Sequence, residues 1–263
     1  TVRLFGPPGL INNVQGKLQG YTWNLVDGYP LTLDVNEFHA QEVRRALFRA
    51  TDWFRQVEQP ARTLAPEPAT GLFTVLSDPQ FTVKAVSLNH RVPSFAYSLE
   101  EQFHINVNKQ KLHEAGLPVG SWLKEVKEYI WKGQPDAFRF TATLYDKHLR
   151  ESREFVLGEV KQRFCTLSRG QKIAYVVDAR YDEENEAKVV ALVQGSDIFY
   201  CESPYLDIDA GKARDRYHLT AKQAGLMARK AQVRDLVVFH FSPRYTGQGE
   251  ALKREAMDAF QGT

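Results

Sequence analysis

Three apolar runs, each ending on a side chain that can do chemistry, constrain this chain more than any other feature. Ile173–Val177 leads into Asp178, Ile198–Cys201 leads into Glu202, and Val237–Phe239 leads into His240. Helical patterns separate them. One covers Glu186–Val193; the other runs from Thr220 to about Ala231 and opens on a capping box of Thr220 with Gln223. The region therefore reads strand, helix, strand, helix, strand. In open α/β sheets ligands bind beyond the carboxyl ends of the strands, where these three side chains would gather. Two carboxylates and an imidazole at one sheet edge make a candidate site, with a metal ion as a natural occupant.

The rest of the chain is read from the same periodicities. Val2–Phe5 predicts a strand running into the turn Gly6-Pro7-Pro8-Gly9. Glu37–Val57 predicts an amphipathic helix with Val43, Leu47, Ala50 and Phe54 on one face, and Gln59–Thr70 a loop. Leu72–Leu76, Phe81–Leu88, Phe95–Leu99 and Phe103–Val107 read as strands, the second ending at His90. Lys109–Ala115 and Trp122–Ile130 read as short helices around Gly116-Leu117-Pro118, and Asp136–Lys172 as short strands with a charged, mobile surface.

Composition narrows the class without naming a partner. A chain of 263 residues can bury a core in one large domain or two small ones. A net charge of +2 does not by itself mark a nucleic-acid binder, although a locally charged cleft for a phosphodiester is compatible with it. No apolar stretch approaches the roughly 20 residues of a membrane span, and no secretory signal opens the chain. With Cys165 and Cys201 alone, a disulfide framework is excluded and a cytoplasmic location is expected. The chain opens on Thr1 already in a strand pattern, so further sequence is expected upstream or in another chain.

Of the seven histidines, His39, His104, His113 and His148 lie in polar or helical surroundings with no acidic or histidine partner at ligand spacing, and read as ordinary hydrogen-bonded residues. His90, His218 and His240 each fall in a turn just past a regular element. Taken singly, each would also be read as a surface histidine. Together with Asp178 and Glu202 they form a constellation.

The same residues carry a family resemblance, spread over nearly the whole chain. Leu88-Asn89-His90-Arg91-Val92-Pro93-Ser94-Phe95-Ala96-Tyr97, Val177-Asp178-Ala179, Tyr200-Cys201-Glu202-Ser203, Tyr217-His218-Leu219-Thr220 and His240-Phe241-Ser242-Pro243-Arg244-Tyr245 stand in the order of the motifs of the metallo-β-lactamase fold. Within that fold the chain resembles ribonuclease Z, the transfer-RNA 3′-processing endonuclease. Val2-Arg3-Leu4-Phe5-Gly6-Pro7-Pro8-Gly9 is similar to the strand and turn that follow the family's first metal motif. The resemblance implies an αββα sandwich over residues 1–263, incomplete at its N-terminus, with an arm-like insertion over 106–171. It also implies a homodimer and a dinuclear zinc site, with manganese as an alternative metal. By the same resemblance Asp178 bridges two ions, His90 serves one and His240 the other. Glu202 and His218 would be the catalytic carboxylate–imidazole pair, and Ser94 and Tyr97 would face an RNA or other phosphodiester substrate. Arg244 is a candidate for a phosphate contact in that substrate site or, equally, for a structural ion pair.

The pattern departs from the family in three places. The His-x-His-x-Asp-His motif that normally precedes Gly6-Pro7 does not occur in the chain, so four of the seven usual ligands are not among these residues. Two protein ligands per ion fall short of the three a zinc site takes, and these residues alone are expected to bind zinc poorly. The insertion lacks the second Gly-Pro step and the Pro-x-Lys loop of the family's arm, which weakens transfer RNA as substrate. Ala179 in place of threonine removes a hydroxyl behind the ligands. The competing readings are a binding or scaffold subunit that kept the fold and lost its metals, and a hydrolase using Thr1 as an N-terminal nucleophile. Retention of Glu202 and His218 opposes the first; the absence of a Gly-rich partner sequence opposes the second.

Overall fold

A computed structural model describes every residue except Asp27, Lys147 and His148, together with the side chains of Asp146 and Leu149. His148 therefore lies outside the described residues. In chain order the elements begin β1 Val2–Gly6, α1 Leu10–Gln19, β2 Thr32–Phe38, β3 Glu42–Arg49, β4 Gln56–Thr63, β5 Phe73–Ser77, β6 Phe81–His90 and β7 Val92–Glu101. They continue β8 Phe103–Val107, α2 Lys109–Glu114, α3 Trp122–Trp131, β9 Arg139–Asp146, β10 Leu149–Val156, α4 Leu157–Phe164 and β11 Cys165–Arg169. The last group is β12 Lys172–Val176, α5 Glu183–Val193, β13 Ile198–Glu202, α6 Ala210–Asp215, α7 Ala221–Lys230, β14 Asp235–Phe239 and α8 Gly249–Gln261.

The chain divides into two compact units. The first comprises Thr1–Leu76, Val83–Leu99 and Lys172–Thr263; the second comprises Ser77–Thr82 and Glu100–Gln171. In the first, β1-β2-β3-β4 form one sheet and β14-β13-β12-β7-β6-β5 another. Phe38 and Val43 of the smaller sheet pack against Phe73, Val75, Ala85 and Phe95 of the larger. The outer face of the smaller sheet, at Val35, Ala46 and Phe48, is covered by Leu10, Ile11, Val14 and Leu18 around α1. The outer face of the larger, at Val86, Ala96, Val176 and Phe199, is covered by Val189 and Leu192 of α5 and Met227 and Ala228 of α7. Helix, sheet, sheet and helix thus layer as expected, each sheet packing one apolar face on the other and one on helices, while Ile173, Tyr175 and Val237 of the larger sheet stay exposed. Helix α8 closes over α7, where Gly225 lets the backbones meet: a Cβ there would fall 2.2 Å from the Ala256 carbonyl oxygen.

The second unit has its own core of Trp122, Leu123, Val126, Phe140, Leu157, Val160 and Phe164. Antiparallel β9 and β10 pair as a hairpin, and β8 pairs antiparallel with β11. The charged stretch read as short strands includes the helix α4, whose buried Leu157, Val160 and Phe164 sit at helical spacing.

The helix expected over Glu37–Val57 is not formed. The end of β2, all of β3 and the start of β4 occupy that stretch, with β3 antiparallel between its two neighbours. Covered on both faces, β3 buries Val43 toward one sheet and Ala46 and Phe48 toward α1, so its apolar residues do not alternate. Their spacing then imitates a helical stripe, and ladder pairing on both sides decides the matter. Trp53 and Phe54, both at φ 54°, would in any case end a helix. Strand β4 continues to Thr63 within the expected loop; it is an edge strand, which tolerates Pro60. Periodicity assigned nothing to Leu10–Gln19 or Gly249–Gln261, which are helices. Among the described residues no helix is long and apolar enough to cross a membrane.

Candidate metal centre

Strands β12, β13 and β14 run parallel with their ends nearly level: Val176 lies opposite Cys201, and Glu202 opposite Phe239. The chain leaves β12 and β14 through left-handed residues, Asp178 at φ 55° and His240 at φ 61°. Aspartate and histidine tolerate that conformation better than β-branched residues do. The sharp turns bring both side chains back over the sheet edge, toward Glu202.

Glu202 is the hub. Its side chain is fully buried. One oxygen accepts from the backbone N–H of Ala179 and of Leu219, each at 3.2 Å. The other accepts from the Asp178 N–H at 2.8 Å. His218 Nδ1 lies 3.0 Å, and His240 Nδ1 3.2 Å, from that second oxygen. Burial pushes the carboxyl up, but the hydrogen bonds from His218, then His240, then the Ala179 amide outweigh it and hold Glu202 at about 2. The His240 imidazole is raised by its hydrogen bond to Glu202, against the opposing effect of burial.

Both neighbouring imidazoles are fixed in tautomer. A carboxylate only accepts, so His218 donates from Nδ1 and turns Nε2 outward. His218 is held at the entrance of α7, where the Thr220 side chain accepts from the Gln223 N–H and Gln223 returns a bond to the Thr220 N–H. His90 donates from Nδ1 to the Tyr217 carbonyl at 2.6 Å, which leaves Nε2 as its lone-pair nitrogen, 3.9 Å from an Asp178 oxygen. Tyr217 is itself left-handed, φ 60°, with its ring beneath the Arg180 guanidinium at 5.4 Å.

The same Asp178 oxygen lies 3.9 Å from His218 Nδ1 and 3.8 Å from His240 Nδ1. Donor atoms of Asp178, Glu202, His218 and His240 all fall within 4.8 Å of one another. Two ligands of one ion with bonds of about 2.0–2.1 Å can be at most about 4.2 Å apart, so Asp178 can share a cation with His90 through its Nε2. The His240 nitrogen near Asp178 is the Nδ1 that donates to Glu202, so His240 would offer an ion its Nε2. Glu202, with its oxygens spent on three backbone amides and two imidazoles, orients ligands and has little left for an ion. The donor set of carboxylate and neutral imidazole fits a zinc-type cation.

Five of the eight candidate residues are thus brought together: His90, Asp178, Glu202, His218 and His240. The hydroxyls of Ser94 and Tyr97, expected toward substrate, are committed to backbone. Ser94 donates to the Asp178 carbonyl at 2.8 Å, bracing the turn that aims the carboxylate, and Tyr97 donates to the Phe5 carbonyl at 2.6 Å. Burial pushes the Tyr97 phenol up to about 12. Arg244 is exposed on the turn after His240. His39, read as lacking an acidic partner, has one in Glu37 at 2.8 Å; that carboxylate also caps α1 through the Ile11 N–H at 3.0 Å, a structural task.

One residue that sequence reasoning missed ties the site together. Asn185, buried in the first turn of α5, accepts from the Asn89 N–H and donates to the Asn89 carbonyl, both at 3.0 Å. It also donates to the Arg180 carbonyl at 2.8 Å. Asn89 immediately precedes His90, and Arg180 follows Asp178 by two positions, so one amide aligns the two segments that carry these candidate ligands. The Asp182-x-x-Asn185 start of α5 was the visible signal, but it reads as an ordinary helix cap.

No family model matches the chain. It is 30% identical over 264 residues to the ribonuclease Z of Deinococcus radiodurans, covering 98% of this chain and 71% of that protein. It is 34% identical over 200 residues to the ribonuclease Z of Streptomyces avermitilis, covering 76% of this chain and 56% of that protein. Among solved structures, the short form of human tRNase Z aligns with a TM-score of 0.49 and 20% identity, over 92% of this chain and 61% of that one. The matched region spans between about half and seven-tenths of the curated relatives' length.

Proposed function

The chain belongs to the ribonuclease Z family, and from that premise we propose that it is a metal-dependent endoribonuclease that trims transfer-RNA precursors by hydrolysing a phosphodiester. The observation that carries this reading is the buried Glu202 carboxylate 3.0 Å from His218 Nδ1, at the edge where Asp178, His90 and His240 converge. A scaffold gains nothing from a fully buried anion with two imidazoles leaning on it, since such a group is costly unless paired.

Asp178, with His90 on one side and His240 on the other, would hold two divalent ions, zinc by donor chemistry, with further ligands contributed from outside these residues. Bound there, such ions supply an activated water and neutralise charge on the phosphate. The protein's own part is positional and acid–base. Glu202 keeps Nδ1 of His218 protonated, so that Nε2 is the nitrogen facing the reaction. In the imidazolium form His218 gives the Nε2 proton to the leaving 3′ oxygen as the phosphorus–oxygen bond breaks, and the neutral imidazole left behind takes a proton back from solvent. Arg244, exposed beside His240, would contact a phosphate. The reading extends to residues 1–263 as one metallo-β-lactamase domain with an insertion over 106–171, to a homodimer, and to a cytoplasmic location.

The test is cleavage of a transfer-RNA precursor carrying a 3′ trailer by the full-length protein, with and without chelator. Chelation should stop cleavage. His218→Ala should slow it by about 10²–10⁴-fold while leaving zinc per chain unchanged. Cleavage indifferent to both would remove the site from the reaction.

A further inference from the structure

A cavity of about 370 Å³ lies beside the candidate metal centre, lined by Tyr181, Ala210, Gly211, Arg214, His218 and Gln223. His218 belongs to both: its Nδ1 faces Glu202 while its ring forms a wall of the cavity. The volume falls in the range of about 300–1,000 Å³ typical of small-ligand pockets. We propose that this cavity is a nucleotide subsite, taking the base and phosphate of the residue that flanks the scissile bond; the assignment of that bond rests on the ribonuclease reading above.

The lining suits that ligand class in three respects. Arg214 makes no hydrogen bond or ion pair with its side chain among the described residues, and the neighbouring Lys212 is already paired with Asp209 at 2.6 Å. A guanidinium with open donors is well matched to a phosphate, which it can contact bidentately. Tyr181 supplies an aromatic ring, and unpaired bases are recognised by stacking on such rings. The ring is anchored by its hydroxyl, which donates to Glu186 at 3.2 Å, while Glu186 is itself held by Lys230 at 3.0 Å. Gln223 spends its side-chain oxygen on the Thr220 N–H, which leaves its amide N–H groups available as donors to a base edge or ribose. Across the floor Gly211 leaves room, since a Cβ there would meet nothing within 4 Å. A lipid or an apolar peptide would find one aromatic ring and little other apolar wall. A cationic ligand would meet Arg214.

The reaction places the ligand here as well. A phosphodiester seated at Asp178, His90 and His240 must send its chain away from the centre on both sides. The cavity shares His218 with that centre, so a nucleotide entering it stays next to the imidazole that protonates the leaving oxygen.

The experiment measures binding without turnover. Adenosine 5′-monophosphate and ribose 5-phosphate are titrated into the full-length protein, followed by calorimetry and ligand-observed NMR. The nucleotide should bind about tenfold tighter than the sugar phosphate, the difference being the stacked base. Arg214→Ala, an exposed position whose loss leaves the fold intact, should weaken both ligands at least tenfold. Tyr181→Ala should bring the nucleotide down to the level of the sugar phosphate, and Tyr181→Phe should restore the preference. Absence of nucleotide binding, or binding unchanged in Arg214→Ala, overturns the subsite. Nucleotide binding with this mutational pattern upholds it even where the protein cleaves no RNA, a result that would count against the ribonuclease reading alone.

Discussion

The side-chain amide of Asn185 clasps the backbone of Asn89, accepting from its N–H and donating to its carbonyl, both at 3.0 Å, across 96 positions of chain. A third bond, to the Arg180 carbonyl, ties the end of β6 to the loop after β12. Because His90 and Asp178 sit on those two segments, the geometry of the candidate metal centre depends on an amide that touches neither side chain.

Removing the clasp should loosen both segments. Asn185→Ala takes the partner from the Asn89 N–H and the Arg180 carbonyl, while the Asn89 carbonyl keeps its bond from the Arg180 N–H at 2.9 Å. At about 1–3 kcal/mol for each group that water cannot reach, a loss of about 1–3 kcal/mol is expected. Asn185→Asp should cost at least as much, since it places a carboxylate against two carbonyl oxygens. Urea denaturation measures both. A variant within about 0.5 kcal/mol of the parent would show that the clasp holds nothing in place.

Acid should act through Glu202. Its carboxyl sits at about 2 in the fold against an ordinary 4.5, so the folded state favours the ionised form. A depressed carboxylate contributes stability that is present above about 4.5 and is lost as pH falls toward 2. The difference corresponds to about 3 kcal/mol. Glu202→Gln should flatten the acid limb of a stability curve measured between pH 6 and pH 2; an acid limb unchanged in that variant would assign the loss to other carboxylates. His240 runs the other way: its pKa is raised, so its contribution is full at low pH and fades as pH rises through the raised value.

Asp178 should matter for metal and little for folding. Its side chain is 45% exposed and its backbone is left-handed, a conformation asparagine also tolerates. Asp178→Asn is therefore expected to keep the fold, judged by circular dichroism, and to lose zinc, judged by elemental mass spectrometry. Full zinc content in the variant would take Asp178 out of the ligand set.

At the contact of α7 with α8 the constraint is steric. Gly225→Ala places a methyl 2.2 Å from the Ala256 carbonyl oxygen and 2.8 Å from the Ala259 Cβ, so the two helices must separate. A loss of about 1–3 kcal/mol is expected, read from the thermal midpoint. An unchanged midpoint would mean that α8 shifts freely over its neighbour.

What the sequence determined by itself was local. Apolar runs announced β12, β13 and β14, although Ile173, Tyr175 and Val237 leave one face of them exposed, and the residues at or just beyond their ends, Asp178, Glu202 and His240, follow from where each run stops. The capping box at Thr220 fixed the start of α7 and set His218 in the turn before it, because a cap is chemistry between near neighbours in the chain. What only the tertiary structure decided was everything that needs two distant segments at once. Glu37–Val57 has apolar residues at helical spacing and forms strands, because pairing β3 on both edges outweighs a local preference. Glu202 was visible as a carboxylate; its place as the hub appears only when Ala179, Leu219, His218 and His240 close around it. Asn185 and the Tyr217 carbonyl left no mark that periodicity could find. Their roles are hydrogen bonds to backbone far away in the chain, and such partners exist only once the sheet has brought them together.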